Sequence, residues 1–137
     1  MKSLVNVLFK ENMHFEAEID GYKINIDADP EFGGKHKGPK PKPLMLVALG
    51  GCTGMDVVSI LRKMRVDFES LNIIVEGDQT EEQPKRYTSM HIIYEIKGKN
   101  LPKDNVEKAV NLSQEKYCGV SAVYKEVIKL THEIKYL

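Results

Sequence analysis

The chain has 137 residues, 42% hydrophobic and 29% charged, with ten Gly and six Pro. That is the length and make-up of one domain over residues 1–137, which excludes two independent cores, a collagen or coiled-coil rod and a disordered chain. Twenty basic and twenty acidic residues cancel, and Trp is absent, so neither a general nucleic-acid binder nor a base-stacking platform is expected.

The first third predicts an antiparallel meander. Val5, Val7 and Phe9 alternate with polar residues, as do Phe15, Ala17 and Ile19, and then Tyr22, Ile24 and Ile26. Asp20-Gly21 is a type I′ hairpin signal, because both central residues of that turn need positive φ. Lys10-Glu11-Asn12 is the expected turn between the first two strands. Residues 28–42 hold Pro30, Gly33, Gly34, Gly38, Pro39 and Pro41, a density of breakers that permits no regular element. This connection also carries Lys35, His36, Lys37, Lys40 and Lys42, read as a solvated loop or, alternatively, as a source of positive charge for the site.

A helix is predicted from about Pro43 to Arg65. Leu46, Leu49, Val57, Ile60, Leu61 and Met64 have helical spacing, and Arg62, Lys63 and Arg65 complement the dipole at its end. Its middle is Gly50-Gly51-Cys52-Thr53-Gly54. Each Gly costs about 1 kcal/mol against Ala in a helix interior, so a close helix approach or access to the backbone and thiol should offset it. Leu71 to Val75 predicts a strand, the segment with Glu81, Glu82 and Pro84 a turn, and Tyr87 to Ile96 another strand. A second helix opens at Leu101-Pro102 and runs towards Cys118, with Gly119 ending or kinking it. Val127 to Leu137 alternates as a last strand. The grouping is α+β, with antiparallel sheets around a long central helix. That helix is too apolar for so short a chain to wrap, which predicts a homodimer that buries it.

The N-terminal segment lacks a signal-peptide core, and Asp56 and Arg62 interrupt the apolar run after Pro43. The expectation is a cytoplasmic protein with no membrane partner, in which Cys52 and Cys118 are free thiols or a redox pair. Neither Cys has a His within three or four positions, so local zinc spacing is absent and no metal or cofactor is expected. Each Cys reads as a small buried hydrophobe or as a reactive thiol. For Cys52 the surrounding glycines favour access, and a helix starting near Gly50 would favour thiolate. Asp56, one turn after Cys52, would either raise the thiol pKa, opposing catalysis, or cap a polar contact across the dimer. His14, His91 and His132 fall in strand patterns as surface or hydrogen-bonded residues. Tyr117, Tyr124 and Met55 read as core or pocket lining.

The run from Gly38 to Leu61, centred on Leu49-Gly50-Gly51-Cys52-Thr53-Gly54, resembles the central-helix signature of the OsmC/Ohr family. Ser113-Gln114-Glu115-Lys116-Tyr117-Cys118-Gly119-Val120-Ser121 resembles that family's second-cysteine segment. The order of elements agrees over essentially the whole chain, and the likeness is closest to the YhfA-like branch. The resemblance implies an OsmC-like fold, an intertwined homodimer and a thiol peroxidase acting on organic hydroperoxides. By it, Cys52 is the peroxidatic thiol and Cys118 the resolving one, restored by a dithiol such as a lipoylated protein. The family's activating Glu and Arg are not found: Lys42 and Pro43 stand at the Glu-bearing motif, and the three arginines, Arg62, Arg65 and Arg86, lie elsewhere. That departure keeps an alternative open, a non-catalytic protein binding a small ligand or thiol on the same fold.

Overall fold

The computed structural model describes residues 1–137, which form two compact units, residues 1–45 and 46–137. In the first unit, β1 (Asn6–Glu11), β2 (His14–Ile19) and β3 (Tyr22–Ile26) form an antiparallel sheet in that order. Ile19 pairs with Tyr22, so Asp20 (φ 50°) and Gly21 (φ 84°) are the two-residue loop that the sequence predicts. The first turn falls later than expected. β1 continues to Glu11, opposite His14, and Asn12-Met13 make the turn, with a register shift between Phe9 and Glu11.

The breaker-rich connection holds one 3-10 turn, Pro30–Phe32. It is organised by buried Asp27, whose carboxylate accepts backbone N–H groups from Ala28 (2.8 Å), Lys35 (3.0 Å) and Lys37 (3.1 Å). Burial works against ionisation of Asp27. The Lys35, Ala28 and Lys37 N–H groups, with the charge of His14, outweigh it and hold the carboxyl below its ordinary range. The backbone at Gly34 presses on the Ala28 carbonyl, where a Cβ would collide.

Helix α1 (Leu44–Lys63) leads into the second unit. Leu49, Thr53, Val57 and Leu61, four apart, form its buried stripe. The apolar members share one core with Met90, Ile92, Tyr94 and Ile96 of the central strand and with Val106, Ala109 and Val110. By length and composition α1 could cross a membrane. The stripe packs into the core, but only 28% of that apolar span is buried within the chain. The helix ends in a Schellman arrangement: Val66 N–H bonds Leu61 C=O (2.9 Å) and Arg65 N–H bonds Arg62 C=O (3.0 Å), with Arg65 left-handed at φ 59°. Gly50 and Gly54 let the sheet come close. A Cβ at Gly50 would lie 3.1 Å from Val75 Cγ2, and one at Gly54 3.3 Å from Ile73 Cγ1. Within the chain, the offset to the glycine cost is therefore helix-on-sheet contact rather than helix-on-helix contact.

β4 (Ser70–Gln79) is longer than the Leu71–Val75 run predicts, because it pairs with β5 (Tyr87–Lys97) from Ser70↔Lys97 to Gln79↔Tyr87. β6 (Lys129–Tyr136) lies on the other side of β5 and runs parallel to it, so this sheet is mixed rather than wholly antiparallel. A parallel neighbour needs a long crossover, and residues 98–128 supply it. That crossover is not one helix. It is α2 (Lys103–Leu112), a π-helical turn at Ser113–Tyr117, and α3 (Gly119–Tyr124). The break falls at Cys118, which is extended (φ −75°, ψ 104°), and Gly119 opens α3 instead of closing α2.

Candidate functional site

Cys52 sits in the third turn of α1, with Asp56 one turn further along the same helix. Cys118 sits at the N-cap of α3. The fold brings them together: the two sulfurs and a carboxylate oxygen of Asp56 lie within 4.8 Å of one another. Cys118 is buried and Cys52 half-buried, and both are free thiols. The first turn of α3 serves both sulfurs. Ser121 N–H donates to Cys118 Sγ (3.3 Å), and the Val120 N–H is near enough to Cys52 to lower its pKa. The helix N-terminus beside Cys52 is therefore that of α3. It is not a start of α1 near Gly50, because α1 begins at Leu44.

These groups set the charge on Cys52. Burial raises its pKa, the Val120 N–H lowers it, and the Cys118 thiol and the Asp56 carboxylate raise it further. The net direction is up, and none of the influences is a cation. Of the two roles the sequence left open for Asp56, the first holds, since it raises the Cys52 pKa; its polar contact lies within the chain, where it accepts a hydrogen bond from Ser113 Oγ (2.9 Å).

Beneath the sulfurs lies a polar network with a fixed direction. Ser113 has one hydroxyl proton and gives it to Asp56, so Thr53 must donate to Ser113 Oγ (2.7 Å). Tyr94 must then donate to Thr53 Oγ1 (2.6 Å). Gln114 Nε2 donates to Tyr94 Oη (2.7 Å) and Thr53 Oγ1 (3.1 Å), and its Oε1 accepts from Ser121 Oγ (3.2 Å). Every hydroxyl donor in the chain from Tyr94 to Asp56 is thereby oriented towards the carboxylate. Burial raises the Tyr94 pKa, which keeps its phenol protonated for this role. No buried side-chain polar atom is left without a partner. The π-helical turn supplies Ser113 and Gln114 to this network together.

Sequence reasoning missed Thr53, Tyr94, Ser113, Gln114 and Ser121 as site residues. Four had a signal, since Thr53 adjoins Cys52 and Ser113, Gln114 and Ser121 flank Cys118; Tyr94, on β5, had none. The remaining candidates, Tyr124 apart, lie outside the cluster. His14 Nε2 bonds Asn25 Oδ1 (2.8 Å), and His91 Nδ1 bonds Thr131 Oγ1 (2.7 Å). His132 meets the Tyr94 ring edge-on at 6.1 Å. Lys40 pairs with Asp29 at 3.4 Å, and Tyr117 lies under Lys116 Nζ at 5.3 Å. Tyr124 packs against the core beside the site, and burial, then the charge of Cys118, raises its pKa. Met55 lines a groove of about 910 Å³ between α1 and β4, together with Gly51, Val58, Arg62 and Leu71.

Comparison with known proteins places this geometry among relatives. The family described as OsmC-like protein matches residues 34–133. Protein YhfA of Escherichia coli (strain K12) is 33% identical over 127 residues, 92% of each chain. A crystal structure of a hypothetical protein from Aquifex aeolicus VF5 is 32% identical, with a TM-score of 0.83 over 100% of this chain and 98% of that one. The organic hydroperoxide resistance protein OhrB of Bacillus subtilis shares the fold, with a TM-score of 0.69 at 13% identity over 98% of both chains.

Proposed function

The chain belongs to the OsmC-like family, and on that premise we propose that it is a thiol peroxidase for organic hydroperoxides, with Cys52 peroxidatic and Cys118 resolving. The observation that carries this reading is the approach of the two sulfurs to within 4.8 Å, with an α3 N–H near each. A disulfide needs about 2.05 Å between sulfurs, so side-chain rotation with a small backbone adjustment would close the pair.

In this reading the Cys52 thiolate attacks the distal oxygen of the hydroperoxide. An S–O bond forms, the O–O bond breaks, and the alkoxide leaves as an alcohol after taking a proton. Cys118 then attacks the sulfenic sulfur, and water leaves as the disulfide forms. An external dithiol, such as a lipoylated protein, returns two electrons and two protons. Val120 N–H would stabilise the Cys52 thiolate. Asp56 would accept the proton that Cys118 gives up on attack, while the Ser113 hydroxyl holds the carboxylate in place.

The organisation of the protein follows from the same premise. Val47 and Met55 on α1 are 66% and 76% exposed in the single chain, beside the groove. A second copy of the chain would cover them in a homodimer. The family match crosses from the first unit into the second, which supports residues 1–137 acting as one domain; the compartment that suits its two reduced thiols is the cytoplasm.

One observation favours a second reading. The raised Cys52 pKa leaves little thiolate at neutral pH, as a non-catalytic protein binding a small ligand or thiol would tolerate. Peroxide consumption with a dithiol reductant separates the two. The peroxidase reading expects turnover by the wild type and its loss in Cys52→Ser. No consumption by either protein supports the second reading, and equal consumption by both overturns the assignment of Cys52.

A further inference from the structure

Peroxide chemistry uses the two sulfurs. It asks of Asp56 only that it take up a proton, and does not require both sulfurs and the carboxylate oxygen to lie within 4.8 Å of one another. Two thiols and a carboxylate facing a common point are a costly arrangement for three anions, and a favourable one for a cation. From this cluster we propose that reduced Cys52 and Cys118, together with Asp56, form a three-ligand site for a divalent d10 cation of the zinc class. The inference does not rest on peroxide turnover.

The donor set selects the metal. Two thiolates and one carboxylate suit a borderline-soft ion with tetrahedral preference, and not Mg²⁺ or Ca²⁺, which take oxygen ligands. Zn–S bonds of about 2.3 Å and Zn–O bonds of about 2.0–2.2 Å would put tetrahedral ligand atoms about 3.5–3.8 Å apart. The three atoms here lie within 4.8 Å of one another, so they need to close by at most about 1.0–1.3 Å. The surrounding groups are already those of a supported site. Ser113 Oγ donates to Asp56 Oδ2 and leaves the other oxygen for the ion. Backbone N–H groups of Val120 and Ser121 meet the two sulfurs and would offset thiolate charge. Three protein ligands leave a fourth position, which half-buried Cys52 opens to water or a small ligand.

Binding breaks two S–H bonds, forms two S–metal bonds, and releases two protons to solvent. Oxidation of the pair to a disulfide removes both thiolates, so the site exists only in the reduced protein. The sequence spacing gave no sign of it, because Asp56 and Cys52 lie on one helix while Cys118 arrives from the crossover.

Co²⁺ binding to the reduced, chelator-stripped full chain tests the assignment without peroxide. The expected result is one Co²⁺ per chain, with thiolate-to-metal charge-transfer bands and tetrahedral ligand-field bands, all bleached by one equivalent of Zn²⁺. Asp56→Asn should weaken Zn²⁺ binding at least about tenfold, and Ser113→Ala about tenfold or more through loss of the supporting hydrogen bond. Wild-type protein oxidised to the disulfide should lose the bands without any substitution that could disturb folding. The proposal is overturned by an absence of charge-transfer bands in the reduced wild type. Equal metal binding by the oxidised protein, or undiminished binding in Asp56→Asn, also overturns it.

Discussion

Asp56→Asn removes one negative charge beside Cys52 and keeps an oxygen that can accept from Ser113. At 4.8 Å, two unit charges interact by about 3.5 kcal/mol at an effective dielectric of 20 and by about 0.9 kcal/mol in water. Cys52 is half-buried, and Asp56 is the smallest of the influences that raise its pKa, so the effect should fall towards the lower figure. A decrease of about half to one pKa unit follows, since one unit is about 1.36 kcal/mol. A more acidic thiol is also a weaker nucleophile, with a Brønsted slope of about 0.4–0.5, so at pH 7 the gain in alkylation rate shrinks to about two- to fourfold. The assay is the rate of iodoacetamide modification of metal-free, reduced protein across pH, with Cys52 followed by peptide mass. The wild-type midpoint should lie above the ordinary thiol value of about 8.5, and that of the variant lower. A variant midpoint equal to or above that of the wild type would refute the electrostatic account of the site.

Other outcomes follow from particular contacts. Arg65→Gly should stabilise the protein by about 1 kcal/mol in urea unfolding, because Gly adopts the left-handed position closing α1 without strain; a loss of stability would contradict the Schellman reading. Tyr94→Phe should cost about 1–3 kcal/mol, since Thr53 loses its hydroxyl donor and Gln114 an acceptor within the core; an unchanged midpoint would mean the directed chain contributes nothing. Asp27 has a depressed pKa in the folded state, so its contribution is present above pH of about 4 and lost as pH falls through the folded value. Asp27→Asn should therefore flatten the acid limb of the stability profile, and an unchanged limb would count against the loop anchor. A Cβ at Gly51 meets nothing within 4 Å in the single chain, so Gly51→Ala should add helix propensity of about 1 kcal/mol to a monomer yet weaken self-association if a second copy covers this face. Sedimentation of the variant against the wild type should show that weakening, and an unaltered association constant would place the interface elsewhere.

The legible parts of the fold were those that local chemistry specifies. Asp20-Gly21 fixed a hairpin because only certain residues accept positive φ at both turn positions, and the stripe from Leu49 to Leu61 fixed the buried face of α1. The direction of β6 was not legible, because alternation along Ile128, Leu130 and Ile134 is the same for a parallel and an antiparallel neighbour. Nor was the break at Cys118 readable as a cap, since Gly119 can end a helix or begin one. In the site, Cys52 and Cys118 stood out by their flanking motifs. The role of Asp56 depends on Ser113, which reaches it only through the crossover and the π-helical turn. The direction of the Cys52 pKa was hidden for the same reason: the sequence showed the glycines and a nearby helix start, but not the burial, the second thiol and the carboxylate that together outweigh the Val120 N–H.

The central claim is that Cys52 and Cys118 act as one redox pair towards a hydroperoxide. Free-thiol count and intact mass, taken after one equivalent of an organic hydroperoxide is added to reduced, metal-free protein, test it most directly. The account predicts loss of both thiols, disappearance of the peroxide, and a mass lower by about 2 Da, as one disulfide requires. Two thiols still titrating at unchanged mass, with the peroxide intact, would contradict it.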